Sequence, residues 1–274
     1  MAIRADYHMH SDHSGDSDAP MESMILKAAA CGLKQICFTE HHDPDFVYTE
    51  PGSEGMFELD LAKYRADYLD IAPQFAGKIK VCFGIELGVQ PQAVAKQKEA
   101  VGAYPFDFVI ASSHLCNRKD PYYPAFFEGR TIKAAMREYF ESILENIRAF
   151  DDFDVYGHLD YAVRYAPVAE QQFQYRYEDY ADLVDEIFRL LIEKGKGIEI
   201  NTGGLSRNMK STNPNEIFLR RYRELGGEII TTASDAHVPE NIARDFDVAE
   251  GILKNCGFRY YTVYENRKPA FLPL

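Results

Sequence analysis

The sequence predicts a single α/β barrel of parallel βαβ units, and two observations carry that expectation. Seven short β-type runs alternate with segments long enough for helices. All eight histidines lie on, or within a few residues of, the C-terminal ends of those runs. In barrel enzymes that face carries the chemistry, because loops after different strands converge there.

The runs cover residues 3–8, 35–39, 80–87, 106–112, 154–158, 197–201 and 228–233, each rich in β-branched, aromatic or other apolar residues. The clearest helices cover 21–31, 59–75, 131–150, 175–194 and 214–225. Their apolar residues recur at approximate helical spacing, and Gly32, Gly195 and Gly226 suit C-terminal caps. With a last β-like segment at 259–264, this pattern fits a closed barrel better than an open sheet. Two connections exceed ordinary barrel loops: 43–58, and 115–129 with Tyr122, Tyr123, Phe126 and Phe127. Both follow strands on the chemical face, so they are candidate substrate lids.

A chain of 274 residues with 46% apolar content fills one such domain, residues 1–274, and builds one large core. The five cysteines are scattered and form no CxxC pair, which points to reduced thiols and a cytoplasmic protein. No apolar run reaches the roughly 18 to 20 residues needed to span a bilayer, so no membrane partner is expected. The formal net charge of −13 disfavours tight binding to nucleic-acid backbones. It does not exclude phosphate substrates, because bound cations invert the local sign of charge.

Taken singly, each histidine motif has a bland explanation as a satisfied core or surface residue. DYHMH sets His8 and His10 two apart at a strand end, where period-two geometry points both to one side. FTEHHD carries His41 and His42, FGIELG ends an apolar strand with Glu86, and VIASSHL and VYGHLDY present His114 and His158. TTASDAHV repeats the two-residue spacing with Asp235 and His237. Together they put imidazoles and carboxylates on most of the successive strand ends, and these are the usual ligands of zinc, manganese and iron. The donors are too many for one tetrahedral ion, which implies two or three divalent ions sharing a carboxylate; Glu86, flanked in sequence order by the others, is the best bridge.

In this order the motifs resemble the PHP family, named for polymerase and histidinol phosphatase, and its histidinol-phosphate phosphatase branch. The likeness rests on HMH at His8 and His10, the following SDHSGDS, TEHH at 40–42, GIELG, SSHL, GHLDY at 157–161, EINTGGL at 199–205 and SDAH at 234–237. It implies a distorted seven-stranded (β/α)7 barrel holding up to three ions. One ion would take His8, His10, Glu86 and Asp235; a second would share Glu86 and add His114 and His158; a third would take Asp16, His41 and His237. His13 is the alternative to Asp16. Gly203 stands where the family motif carries a hydroxyl, so that contact is lost.

The resemblance and the donor chemistry together imply hydrolysis of a small phosphate monoester, L-histidinol phosphate, at the penultimate stage of histidine synthesis. A hydroxide bridging two metals would attack phosphorus, with Glu86 and Asp235 among the catalytic residues. His42 is a candidate general acid, phosphate-positioning group or bystander. Arg207 and Arg164 are candidates to grip phosphate, each otherwise a solvated surface residue. Asp160, in GHLDY, either orients a ligating histidine, pairs with a substrate amine or caps a turn; Asn201 completes the substrate-binding set. The rival readings are a PHP phosphoesterase for nucleotides, oligonucleotides or phosphotyrosine, and a non-catalytic metal-binding module. Oligomeric state is not legible.

Overall fold

The computed structural model describes residues 2–167, 175–206 and 210–274. Seven parallel strands follow one another in chain order: β1 (Ala5–Asp6), β2 (Gln35–His42), β3 (Lys80–Gly88), β4 (Phe108–Ser112), β5 (Val155–Tyr156), β6 (Gly197–Asn201) and β7 (Ile230–Ala233). The helices between and after them are α1 (Met21–Ala30), α2 (Leu61–Ile71), α3 (Val94–Ala103), α4 (Ile132–Ala149), α5 (Ala181–Glu193), α6 (Glu216–Glu224) and α7 (Phe246–Asn255). The central strands are apolar and buried on both faces, as parallel strands covered by helices must be.

The barrel seam is closed by the stretch after β1. Tyr7 N–H donates to Thr232 O (2.8 Å), Asp235 N–H to His8 O (2.8 Å) and His10 N–H to Ala236 O (2.9 Å). This change of partner is why the expected strand at 3–8 shortens to two paired residues. β5 is equally short, and Gly157 follows it with its N–H on Ala111 O (2.8 Å). A Cβ at Gly157 would lie 2.5 Å from Ser112 Oγ, so only glycine lets the chain approach β4 just before His158.

The helices close over the barrel through the faces their periodicity marks. On α5, Leu183, Val184, Ile187, Phe188 and Leu191 are buried, and α4 buries a longer stripe from Ile132 to Ile147. Thr131, Asp60 and Asn215 cap α4, α2 and α6 by accepting backbone N–H bonds. Gly32, Gly195 and Gly226 take positive φ just past α1, α5 and α6, as expected of caps. The helix expected over 175–194 begins only at Ala181, behind a 3-10 turn at Tyr177–Asp179. α3 and α7 escaped the sequence reading because each is ten residues long, buries three side chains and contains a glycine.

The last β-like segment does not join the barrel. It forms β8 (Tyr260–Glu265), which pairs antiparallel with β9 (Lys268–Pro273) across the two-residue turn Asn266-Arg267, both residues at positive φ. This hairpin covers the end of the barrel opposite the histidines. Tyr7 Oη donates to Tyr264 O (2.6 Å), Ile230 N–H to Thr262 Oγ1 (3.1 Å) and Arg267 Nε to buried Asp154 (2.5 Å). All five cysteines are free thiols, and no helix among the described residues is long and apolar enough to cross a membrane. Replacing Arg267 with Ala leaves the Asp154 carboxylate buried without its cation; we expect a loss of about 1–3 kcal/mol, read as a lower melting temperature in thermal denaturation.

Candidate metal centre

Strand ends position the cluster. β2 carries His41 just before its last residue, β3 carries Glu86, and His114, His158, Asp235 and His237 follow β4, β5 and β7. The segment that closes the seam brings His8 and His10 to the same point. Glu86 is fully buried at the centre, with Oε1 2.9 Å from His158 Nε2 and 3.3 Å from His114 Nε2. Its Oε2 lies 2.8 Å from His41 Nδ1, 3.2 Å from His8 Nε2 and 3.7 Å from His10 Nε2. Burial alone would raise its pKa, but the surrounding imidazoles hold it well below the usual carboxylate range.

Asp235 Oδ1 sits 3.7 Å from His8 Nε2 and 3.6 Å from His10 Nε2. Asp16 Oδ2 lies 3.2 Å from His237 Nε2 and 3.7 Å from His41 Nε2, while these two nitrogens face each other at 3.4 Å. His13, the alternative to Asp16, instead points at Asp67 (3.3 Å) and packs on Tyr64. Burial works against protonating His237, yet Asp16 and Asp235 bring its pKa up to about 9. Four donor triplets lie within reach of single ions: His8, His10 and Asp235; His8, Glu86 and His158; His41, Glu86 and His114; His10, His41 and His237.

Two features fit this set to cations. Buried His8 Nε2 and His10 Nε2 have no hydrogen-bond partner among the described protein groups, a cost that coordination removes. In addition, four rings have Nδ1 held by an oxygen, which leaves the Nε2 lone pair free to ligate. His8 Nδ1 donates to Glu199 (2.9 Å), His10 Nδ1 to Ser14 Oγ (3.1 Å), His114 Nδ1 to Asp43 (2.6 Å) and His237 Nδ1 to Asp235 O (3.0 Å). Ser14 accepts from His10 because its own proton goes to Glu40 (2.5 Å). Glu40, Asp43 and Glu199 were not singled out from the sequence. The available signal was a carboxylate inside a strand otherwise apolar, as in GIEIN.

The expected substrate residues divide. Arg164 lines the cleft, but each of its nitrogens is already bonded, Nε to Asn213 (2.6 Å), Nη1 to Asp235 Oδ2 (3.0 Å) and Nη2 to Asn201 (3.0 Å). Asn201 itself donates to Glu199 (2.9 Å) and Asp235 (3.2 Å). Asp160 is buried away from the cleft, accepts from Asn213 (2.5 Å) and Tyr175 (3.1 Å), and is pushed up to about 6 by burial. Through these bonds the three residues brace the cluster. His42, next to His41 on the strand, falls on the opposite face: its Nδ1 accepts from Leu59 N–H (3.2 Å), and it does not line the cleft. Arg207 lies outside the described residues.

Above the cluster opens a cleft of about 520 Å³. The two long loops form its walls, 43–58 through Phe46, Tyr48, Met56 and Phe57, and 115–129 through Asp120, Tyr122 and Tyr123. Tyr123 Oη bonds Glu50 across the gap (3.1 Å), so the loops meet over the site as expected of lids.

A parallel barrel with a cluster of divalent-metal donors at its C-terminal strand ends, beneath a cleft of small-molecule size, defines the class of metal-dependent barrel hydrolases. Within that class, the chain belongs to the PHP family: the PHP domain matches residues 6–203. The histidinol-phosphatase of Lactococcus lactis is 32% identical over 266 residues, 97% of this chain and 96% of that protein. A protein of Clostridium acetobutylicum is 30% identical over 266 residues, 97% of this chain and 95% of its own. The crystal structure of Lactococcus lactis histidinol phosphate phosphatase complexed with zinc, L-histidinol and phosphate superposes with TM-score 0.88 at 30% identity, covering 97% of this chain and 98% of that one. A structure from Listeria monocytogenes shares the fold at TM-score 0.77 and 17% identity, covering 89% of this chain and 99% of its own.

If Glu199 fixes the His8 ring, Glu199→Gln weakens metal retention by about 10- to 100-fold while the fold persists. Elemental mass spectrometry across a chelator titration, beside circular dichroism, checks this.

Proposed function

We propose that the protein hydrolyses L-histidinol phosphate to L-histidinol and phosphate as a cytoplasmic enzyme of histidine synthesis. The observation that carries the reading is the near full-length likeness to the Lactococcus lactis enzyme, whose structure contains zinc, L-histidinol and phosphate. Two or three ions, with Glu86 as the shared carboxylate, fit the triplets; zinc, manganese and iron all suit these donors. When bound, divalent ions lower the pKa of a coordinated water towards neutrality and neutralise phosphate oxygens.

The chain's own residues do the rest. Asp235 and Asp16 are the metal-facing carboxylates that reach the cleft wall; Arg164 and Asn201 fix Asp235 Oδ2, which leaves Oδ1, facing His8 and His10, as the atom that would hold an ion beside the attacking water. Glu86, buried below, holds the imidazoles and carries no proton. The aromatic loops exclude water and receive the leaving alcohol, a role sized for a small molecule rather than a nucleic acid. Phosphate monoesters hydrolyse very slowly unaided, and a clamp of several cations matches that task.

The first experiment is elemental analysis of protein purified without chelator, with phosphate release measured from L-histidinol phosphate, AMP and p-nitrophenyl phosphate. Two or three ions per chain and a strong preference for L-histidinol phosphate are expected; preference for another ester refutes the substrate. Removing metal with chelator abolishes turnover, and adding back Mn²⁺ or Zn²⁺ restores it; activity that survives full metal loss refutes the chemistry.

A further inference from the structure

We propose that Arg244, on the loop after β7, grips the substrate phosphate from the rim of the cleft. This rests on the reading of the cleft as a phosphate monoesterase site. The cleft is lined by the carboxylates of Asp16, Asp43, Glu50, Asp120 and Asp235, a setting that repels a dianion. Among the described lining residues only Arg164 and Arg244 are arginine or lysine, and Arg164 is buried with each of its three nitrogens already bonded, to Asn213, Asp235 and Asn201. Arg244 is half-exposed on the same cleft as Asp16 and His237, and among the described residues its side chain is held at 3.3 Å by Asn241 and at 3.7 Å by Asp245. Its planar fork therefore has donors left for phosphate oxygens.

The loop is built to hold this side chain in place. Ala243 and Asp245, on either side of it, take positive φ of 55° and 58°, a conformation that persists only where the surroundings enforce it. Asp6, fully buried on β1, supplies the enforcement. Its carboxylate accepts Ala243 N–H (3.3 Å) and Ser234 N–H (3.0 Å), tying the arginine loop to the residue that precedes Asp235. The rim cation and the cleft-facing carboxylate thus share one anchor.

The test compares metal-loaded wild type, Arg244→Ala and Arg244→Lys, using calorimetric binding of inorganic phosphate and of L-histidinol, and kinetics on L-histidinol phosphate. For Arg244→Ala, the phosphate Kd and the KM are expected to rise about tenfold, the value of one charge-assisted contact. Metal content and L-histidinol affinity stay unchanged, Arg244→Lys falls between, and added guanidinium ion recovers part of the loss. A phosphate Kd within about twofold of wild type overturns the proposal, as does an equal loss of L-histidinol or metal binding, which marks a purely structural role. If the wild type fails to turn over L-histidinol phosphate, the preceding functional reading falls, and the phosphate Kd values alone decide the case of Arg244.

Discussion

One buried carboxylate governs the upper half of the molecule. Glu86 sits at the centre of the strand ends with five imidazoles, those of His8, His10, His41, His114 and His158, within 3.7 Å of its oxygens. A charge at that depth persists only with compensating charge around it, and donors packed this tightly need a cation to share their lone pairs. Each imidazole must arrive from a different strand in a fixed orientation. The parallel register, the tight approach at Gly157 and the partner change after β1 all serve that convergence.

Orientation is enforced outward in layers. Glu199, Asp43 and Ser14 fix ring tautomers, and Arg164, Asn201, Asn213 and Asp160 form a buried chain of hydrogen bonds ending on Asp235. Polar groups bonded at every junction are rigid, and rigidity is what a site needs when its ions must stay close together under a reacting phosphate. Arginine and amide groups that look exposed in sequence are spent inside this scaffold.

The barrel and the side chains that cluster at its strand ends were legible because both leave periodic traces. Parallel strands read as apolar runs, and the ligands fall at their ends with spacing two or at isolated polar breaks, as with Glu86. Side-chain direction was less legible. His41 and His42 are indistinguishable in composition, and only strand alternation decides that one faces Glu86 and the other Leu59. Asp160 lies in a suggestive motif and Arg164 just after it, yet their partners Asn213 and Asn201 lie tens of residues away, and nothing local encodes such pairings. The terminal segment 259–264 read correctly as β-type, but its partner β9 carries two prolines and is exposed throughout, so its hairpin role could be seen only in three dimensions.

The closure of the seam also sets an order of assembly. His8 and His10 precede Asp235 and His237 by more than two hundred positions, and the later stretch supplies the hydrogen bonds that shut the barrel. Until that later stretch is made the nascent chain holds only half of the cluster, and contacts of such long sequence separation form slowly. Full-strength ion capture becomes possible only once the ring has closed. Loading with metal is in that sense a proofreading event: an ion held tightly certifies that the two ends of the barrel have met.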